Sequence, residues 1–123
     1  NGVAGDLNVL FEEKDHDYFI RNGEDVLIEA HITFSQAALG STLEVPTLDG
    51  KAKLKIPAGI QAGQILRMRS KGFPRVRRSS RGDQLVRIHI ETPKKLSKNT
   101  RKLFEDLAVA DGVLKNIFQK IKI

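Results

Sequence analysis

"TLDGKAKLKIPAGI", residues Thr47 to Ile60, is the stretch that decides the fold. Between Lys51 and Ile56 lysines alternate with apolar residues, so one face of the segment is cationic and the other apolar. An alternation with a period of two predicts a half-buried β-strand. The dipeptide Asp49-Gly50 predicts a hairpin turn before this strand. Because the stretch offers no nucleophile, metal ligand or phosphate-binding loop, we interpret it as scaffold rather than as a chemical site.

The same alternation continues on both sides of this stretch, over the first three quarters of the chain. Asn22-Gly23 supplies the positive φ angles of a second hairpin turn. A short helical turn is predicted from Ser35, as its N-cap, to Leu39, with Gly40 as its end. The predicted strands are Asp6–Glu13, Asp25–Phe34, Thr42–Pro46, Lys51–Ile56, Ile65–Arg69 and Gln84–Glu91.

A change of period marks the C-terminal part of the chain. Pro93 ends the predicted sheet, and after Ser97, the predicted N-cap, apolar residues recur with the period of 3.6 that is typical of an amphipathic helix. Asp111-Gly112 interrupts this pattern, and a second apolar stripe follows. The first stripe consists of Leu103, Phe104, Leu107 and Ala108, and the second of Val113, Leu114, Ile117, Phe118 and Ile121. The sequence therefore predicts a mainly β chain with a C-terminal α-helical tail.

The composition restricts the class of protein. A length of 123 residues suffices for one domain with a hydrophobic core, or for one domain and a fragment of another. No apolar run is long enough to cross a bilayer, and the first residues show no secretory signal. The chain has no cysteine, which excludes disulfides within it and suits a reducing compartment. We therefore predict a cytoplasmic protein without membrane contact.

Two short stretches of the chain repeat each other. GDLNV at residues 5–9 and GDQLV at residues 82–86 stand 77 positions apart, and each opens a predicted strand. Since 77 residues is about the length of a small β domain, the repeat favours a duplicated domain. The N-terminal residues would then be the last strands of a first copy.

The ionisable residues form no catalytic or metal-binding pattern in the sequence. His16, His31 and His89 are far apart, and no predicted helix places two of them at positions i and i+4. We expect His31 and His89 on the polar faces of their strands. The acidic residues between positions 12 and 17 are interspersed with Lys14 and are expected to form a solvated turn. We therefore predict that the chain is not an enzyme and holds no metal or other cofactor.

A basic segment from Arg67 to Arg81 is the remaining candidate site in the sequence. The chain as a whole carries a net charge of +6, to which this segment contributes six arginines and one lysine. One hypothesis is a nucleic-acid-binding module in which Arg75, Arg77, Arg78 and Arg81 contact phosphates. The alternative is a solvated loop between strands. The alternative is favoured because the chain has few aromatic side chains on which bases could stack.

The order of the motifs closely resembles the C-terminal region of the bacterial DnaJ family of co-chaperones. The motifs AALG, EVPTLDGK, KIPAGIQAGQ, RMRSKG, GDQLV and ETP occur in the family's order and spacing. The resemblance extends from about Gly5 to Leu107. It implies a mainly β fold of the two-sheet β-sandwich type. Residues 1–34 would be the terminal strands of a truncated first sandwich, residues 35–93 a second sandwich, and residues 94–123 a helical dimerisation segment.

The resemblance also implies a function. Members of the family bind unfolded client polypeptide and deliver it to a DnaK-type chaperone, and they act as homodimers. The family part that stimulates ATP hydrolysis has no counterpart in this sequence. The zinc-binding Cys-X-X-Cys repeats are also missing, so any zinc would lie elsewhere in the parent protein. Nucleic acid is not among the partners that the resemblance implies.

Candidate site residues follow from the same resemblance. Phe19, in DYFIRNG, matches a phenylalanine that lines the client groove in relatives. Leu43 and Val45 occupy the strand of the second domain that is equivalent to the groove strand. Ordinary core packing is the alternative for all three. For dimerisation, the two apolar stripes supply Leu103, Phe104, Leu107, Val113, Leu114, Ile117, Phe118 and Ile121.

Overall fold

Eight elements of secondary structure make up the part of the chain that the computed structural model describes, residues 18–75 and 80–121. In chain order they are β1 (Ile20–Asn22), β2 (Asp25–Ile32), α1 (Phe34–Leu39), β3 (Ser41–Thr47), β4 (Gly50–Ile56), β5 (Ile65–Met68), β6 (Gln84–Ile90) and α2 (Lys98–Asp111). The strands predicted after residue 24 are confirmed, with small shifts of their ends. The predicted strand Asp6–Glu13 and the first copy of the repeat lie outside the described residues.

Strands β1, β2, β6 and β5 form a four-stranded sheet in that order. β1 and β2 are an antiparallel hairpin, and Gly23 in its loop has a φ of +66°. β2 and β6 run parallel, with Val26 opposite Gln84 and Ile32 opposite Ile90. From Val26 to Ile32, each residue of β2 thus pairs with the residue 58 positions later in the chain. β5 completes the sheet as an antiparallel neighbour of β6.

The stretch that predicted a hairpin forms most of the second sheet, which consists of β3 and β4. Leu48 and Asp49 are the two-residue loop between the paired residues Thr47 and Gly50. The Thr47 hydroxyl accepts a hydrogen bond from the Asp49 N–H at 3.2 Å and donates one to the Gly50 carbonyl at 3.0 Å. Gly50 has a φ of +131°, which residues with a side chain rarely adopt. The predicted hairpin is confirmed.

The apolar faces of the two sheets pack together and form the hydrophobic core. Val86 and Ile88, from the central strand β6, are fully buried. Gln84 is also fully buried, and its Nε2 donates a hydrogen bond to the Pro46 carbonyl of the other sheet at 2.8 Å. The expected mainly β fold with two packed sheets is confirmed. The other buried apolar residues are Val26, Ile28, Ile32, Ala37, Val45, Leu54, Ile56, Ile60 and Met68.

Strands on both sides of residue 34 belong to one sheet. β2 pairs along its whole length with β6. Residues Asn1–Thr92 form one compact unit and residues Pro93–Ile123 another. The expected boundary between Phe34 and Ser35 therefore falls inside a continuous sheet. The difference arises because the sequence analysis assigned β2 to the end of a first domain, whereas β2 takes its partner from far along the chain.

Helix α1 begins earlier than predicted, at Phe34, and its N-cap is Thr33 rather than Ser35. The Thr33 hydroxyl accepts a hydrogen bond from the Gln36 N–H at 3.2 Å, and the Gln36 side chain accepts one from the Thr33 N–H at 3.0 Å. This reciprocal pair is a capping box, which satisfies two backbone donors at once. Gly40 ends the helix as predicted, with a φ of +83°.

The second compact unit contains helix α2. Ser97 is its N-cap, as predicted, and its hydroxyl accepts a hydrogen bond from the Thr100 N–H at 3.1 Å. The expectation that the second apolar stripe continues as a helix is wrong, since residues 112–121 contain none. Gly112 and Asn116 have φ values of +64° and +55°, and such left-handed conformations interrupt an α-helix. Neither α1 nor α2, the helices of the described residues, is long and apolar enough to span a bilayer.

The tip of the β1–β2 hairpin is held by a close approach of backbones. The Glu24 carbonyl accepts a hydrogen bond from the Phe73 N–H at 2.8 Å, and the Phe73 carbonyl accepts one from Gly82 at 2.8 Å. The Asp25 carboxylate accepts a hydrogen bond from the Asp83 N–H at 2.7 Å. A β-carbon on Gly82 would lie 2.2 Å from the Glu24 carbonyl oxygen. Only glycine fits this position without a shift of the backbone.

Gly82→Ala is therefore expected to lower the free energy of unfolding by about 3 kcal/mol, because the added methyl group overlaps backbone atoms that cannot move independently. Urea denaturation of the 123-residue chain measures this loss. The control is Gly23→Ala, whose added carbon meets no atom within 4 Å. It costs only the left-handed strain of about 1 kcal/mol. Equal losses for the two variants would contradict the close approach.

Candidate functional site

An open cleft of about 760 Å³ lies between the start of the β1–β2 hairpin and strand β3. We call it the inter-sheet cleft. Tyr18, Phe19 and Ile28 line it on the side of the first sheet, and Leu43 and Val45 line it on the side of the second. The three residues for which the sequence analysis predicted client contact, Phe19, Leu43 and Val45, are thus brought to one place.

These residues differ in their exposure. Val45 is 4% exposed and belongs to the buried core, so core packing accounts for most of its surface. Phe19 and Leu43 are half-buried, and each packs against the core while it lines the cleft. Tyr18, which the sequence analysis missed, is 59% exposed. It could have been found as the aromatic neighbour of Phe19 in the stretch DYFIRNG.

The inter-sheet cleft offers apolar contact, a few charges and backbone groups. Glu44 and Lys51 are exposed lining residues of opposite charge. The lining residues include no serine, cysteine or histidine that could serve as a nucleophile or as a base. Among the described residues, β1 is an edge strand of its sheet, and β3 has β4 as its one neighbour in the other. Edge strands present backbone N–H and C=O groups to an additional strand.

Two histidines that are distant in sequence stand side by side on the outer face of the four-stranded sheet. His31 is opposite His89 in the parallel pairing of β2 and β6. Their ring centroids are 4.8 Å apart and the ring planes are inclined by 13°. The sequence analysis expected both on polar strand faces, and this is confirmed. It missed their contact because the alternation of a strand does not reveal which strand is its neighbour.

Three arginines of the basic segment are already paired with carboxylates. Besides its ion pair with a carboxylate, Arg81 donates a hydrogen bond from Nε to the Gly72 carbonyl at 2.9 Å. Paired cations are less available to phosphates, so phosphate contact stays a prediction without structural support. Arg77 and Arg78 lie outside the described residues. The pairs are Arg67 Nη1 with Asp83 Oδ2 at 2.5 Å, Arg75 Nε with Glu24 Oε1 at 3.4 Å, and Arg81 Nη1 with Asp49 Oδ2 at 2.5 Å.

Asp83 joins the basic segment to strand β6. Its Oδ1 accepts a hydrogen bond from the Ser70 N–H at 2.9 Å, and its Oδ2 accepts one from Arg67. The Ser70 N–H, followed by the Arg67 side chain, lowers the pKa of Asp83 below its ordinary value of 3.8. Both donors stabilise the carboxylate relative to the neutral acid. The ionised form of Asp83 therefore stabilises the fold.

The described residues form two packed sheets with a cleft at their edge, and helix α2 follows them in the chain. This arrangement is a mainly β domain, which is the fold class that the sequence motifs indicated. Over residues 1–93, the chain matches the family described as DnaJ C terminal domain. The chain therefore belongs to the DnaJ family through its C-terminal domain. The resemblance that the sequence motifs indicated is confirmed.

Curated relatives that bear the name Chaperone protein DnaJ are similar to this chain over most of its length. The protein of Shouchella clausii (strain KSM-K16) is 49% identical over 111 residues, which are 90% of this chain and 30% of the relative. The protein of Opitutus terrae is 44% identical over 126 residues, which are 98% of this chain and 33% of the relative. The protein of Ruminiclostridium cellulolyticum is 45% identical with the same coverage, 98% and 33%. The chain thus spans about a third of the length of these relatives.

Asp83→Asn is expected to destabilise the domain at neutral pH and to matter less in acid. Because the pKa of Asp83 is lowered by folding, its contribution is fully present above the ordinary value of 3.8. The contribution is lost as the pH falls through the lower pKa of the folded state. The urea midpoints of Asp83→Asn and of the unsubstituted chain should therefore differ at pH 7. They should converge as the pH is lowered below 3.8.

The control for this experiment is Asp106→Asn. Asp106 forms an exposed ion pair with Lys102 on α2, with Nζ and Oδ1 2.7 Å apart. Exposed pairs of this kind contribute little. A difference between Asp83→Asn and the original chain that stays constant over the whole pH range would contradict the stabilising role of the Asp83 carboxylate.

Proposed function

We propose that this domain binds extended segments of unfolded polypeptide in the inter-sheet cleft and releases them without chemical change. The observation that carries the proposal is the position of apolar cleft walls beside edge strands. An apolar wall accepts the side chains of many different segments. An edge strand pairs with a peptide backbone through hydrogen bonds that do not depend on side-chain identity. Together they give binding without sequence specificity.

The shallow cleft implies weak binding. Full burial of one large apolar side chain contributes about 1.5–3 kcal/mol. Part of this gain is lost when the segment and the cleft side chains become ordered. Phe19 and Leu43 already pack against the core, so only their outward surface is available to a client. Weak and broad binding is what a protein needs if it is to hold many unfolded chains and release them again.

Membership of the DnaJ family supports a chaperone role for the parent protein. We infer that the parent protein delivers its bound clients to a DnaK-type chaperone, that it does so in the cytoplasm, and that the domain described here performs no catalysis. On this proposal the cleft retains the client until transfer.

The second compact unit supports a further part of the proposal, homodimerisation through its apolar stripes. Leu103 is 59% exposed, Leu107 47% and Phe118 89%. Large apolar side chains that remain exposed in one short segment are typical of a site of association. A dimer would carry two inter-sheet clefts, and simultaneous contact with one client slows its release without any new kind of contact. The remaining members of the stripes are Phe104, Val113, Leu114, Ile117 and Ile121.

Tyr18→Ala tests the cleft, because Tyr18 lines it and is largely exposed. We expect the affinity for a fluorescein-labelled peptide rich in leucine and phenylalanine to fall about fivefold, measured by fluorescence anisotropy. The matched control is Ile65→Ala, which truncates a side chain of similar exposure, 49%, that does not line the cleft. Equal effects of the two substitutions would contradict binding in the cleft.

Leu43→Asp places a charge in the cleft wall and is expected to abolish suppression of aggregation of a denatured test protein, followed by light scattering. Circular dichroism establishes that the variant remains folded.

The peptide titration, repeated at rising salt, separates the two function classes. Apolar client binding changes little with salt, whereas phosphate contacts by the basic segment would weaken steeply. Absence of peptide binding, together with binding of a single-stranded oligonucleotide that weakens steeply with salt, would overturn the client proposal in favour of nucleic-acid binding.

Phe118→Asp tests the dimer. Removal of one largely exposed phenylalanine from an apolar interface is expected to weaken dimerisation about 30-fold or more, measured by analytical ultracentrifugation. Lys120→Asp, two positions away, changes a charge without removing apolar surface and is expected to have a smaller effect. A chain that is monomeric at all concentrations before any substitution would contradict the proposed dimer.

A further inference from the structure

The parallel pairing of β2 and β6 collects metal-binding side chains on the outer face of the sheet. His31 lies opposite His89 in the register, and Glu29 lies opposite Arg87. Glu29 and His31 are two residues apart on β2, so their side chains leave the same face of the strand. The Glu91 side chain joins the group just after β6. This face is opposite to the one that packs into the hydrophobic core.

One ligand atom from each of Glu29, His31 and His89 lies within 4.8 Å of the other two. Glu29 Oε2 is 3.3 Å from His89 Nε2. The side chains are partly exposed, with 42% for Glu29, 55% for His31 and 39% for His89. They can therefore reorient without disturbing the core, and an ion can reach them from solvent.

The hydrogen bonds leave one nitrogen of each ring for a ligand. His31 Nδ1 lies 2.5 Å from Glu91 Oε2, so the carboxylate orients this ring and leaves the Nε2 lone pair free. Carboxylates play this part beside histidines that bind metals. His89 Nε2 lies 3.3 Å from Glu29 Oε2 without meeting hydrogen-bond geometry, so it faces this carboxylate without being engaged by it.

We propose that Glu29, His31 and His89 form a binding site for a divalent transition-metal ion such as Zn²⁺, with Glu91 as the residue that positions His31. Two imidazoles and one carboxylate are a donor set suited to zinc, copper and nickel rather than to magnesium or calcium. Three protein ligands leave a fourth position for water. Glu29 is also a lining residue of the inter-sheet cleft, whereas His31 and His89 are not.

Binding requires a modest closure of the three side chains. In a tetrahedral zinc site the metal–ligand bonds of about 2.0–2.1 Å place ligand atoms roughly 3.3 Å apart. The contact between Glu29 and His89 already has this length. His31 closes the remaining gap by a side-chain rotation that opens the stacked arrangement of the two rings, because each nitrogen lone pair lies in its ring plane and must point at the ion. The bound ion would then connect β2 to β6 on the outer face of the sheet. This connection adds to the backbone hydrogen bonds and core contacts that already join the two strands.

Arg87 acts against the ion. Its Nη1 donates a hydrogen bond to Glu29 Oε2 at 3.2 Å. Since this guanidinium competes with the metal for the same carboxylate oxygen, it weakens binding. Because of this competition, a substitution of Arg87 is expected to change the affinity for the ion in a known direction. Loss of the Arg87 charge tightens the site, whereas a substitution that merely perturbs the strand does not.

The experiment uses the full 123-residue chain carrying His16→Gln, so that His31 and His89 are the only histidines. Isothermal titration calorimetry with ZnCl₂ gives the stoichiometry and the dissociation constant. NMR of the imidazole rings reports which histidines contact the ion. We expect one ion per chain, with both ring spectra shifted in the same titration, and a thermal midpoint that rises with zinc concentration because the ion binds the folded state.

The variants separate a site from non-specific adsorption. His31→Gln and His89→Gln are each expected to weaken zinc binding about 100-fold, and Glu91→Gln about tenfold, the size typical of a lost orienting partner. Arg87→Met is expected to tighten binding. Glu44→Gln, an exposed carboxylate on β3, leaves it unchanged. Absence of heat and of ring shifts, or binding that survives loss of either histidine, would overturn the proposal. Both histidine variants leave the lining of the client cleft unchanged, because His31 and His89 are not among its lining residues.

Discussion

The parallel pairing of β2 with β6 is the interaction on which the rest of the structure depends. It joins strands that are 58 residues apart and makes them the centre of the four-stranded sheet. Their inner faces supply Val26, Val86 and Ile88, which are among the most buried side chains of the core. Because β2 also carries the β1 hairpin, the pairing fixes the edge beside which the inter-sheet cleft opens. The same register brings His31 against His89 on the other face.

Local patterns predicted the elements well, because alternation and turn chemistry act over a few residues. The hairpin around Asp49 and the cap at Ser97 were found in this way. The partner of β2 could not be predicted, since a period of two describes one strand and carries no information about its neighbour. For the same reason the boundary expected after Phe34 cuts through a sheet, and the contact of His31 with His89 was not anticipated.

The errors in the helical parts have equally local causes. Ser35 has a side chain suited to an N-cap, but Thr33 precedes Gln36 by the three residues that a capping box requires. In the tail, the apolar stripe after Gly112 has a helical spacing, yet the positive φ of Asn116 prevents an α-helix there. Spacing alone records which residues are apolar. It does not record the backbone angles that decide whether they share a face.

The candidate site was predictable only through the family. Phe19 and Leu43 stand out from other apolar strand residues because the resemblance to the DnaJ family implies client contact for them, and the structure places both at one cleft. The basic segment stands out more in the sequence, but its described arginines include three that are engaged with Asp83, Glu24 and Asp49. A cluster of charges in a sequence cannot show whether its counterions are solvent, ligand or neighbouring carboxylates.

The long interval between β2 and β6 also determines when this domain can acquire its shape during synthesis. The β1–β2 and β3–β4 hairpins pair neighbouring residues and can form as soon as each has left the ribosome. The central ladder must wait until Ile90 has been made, since parallel pairing of distant segments closes a large loop before it gains contacts. Until then the apolar face of β2 has no cover. The domain therefore passes through an interval during synthesis in which part of its future core is exposed to solvent.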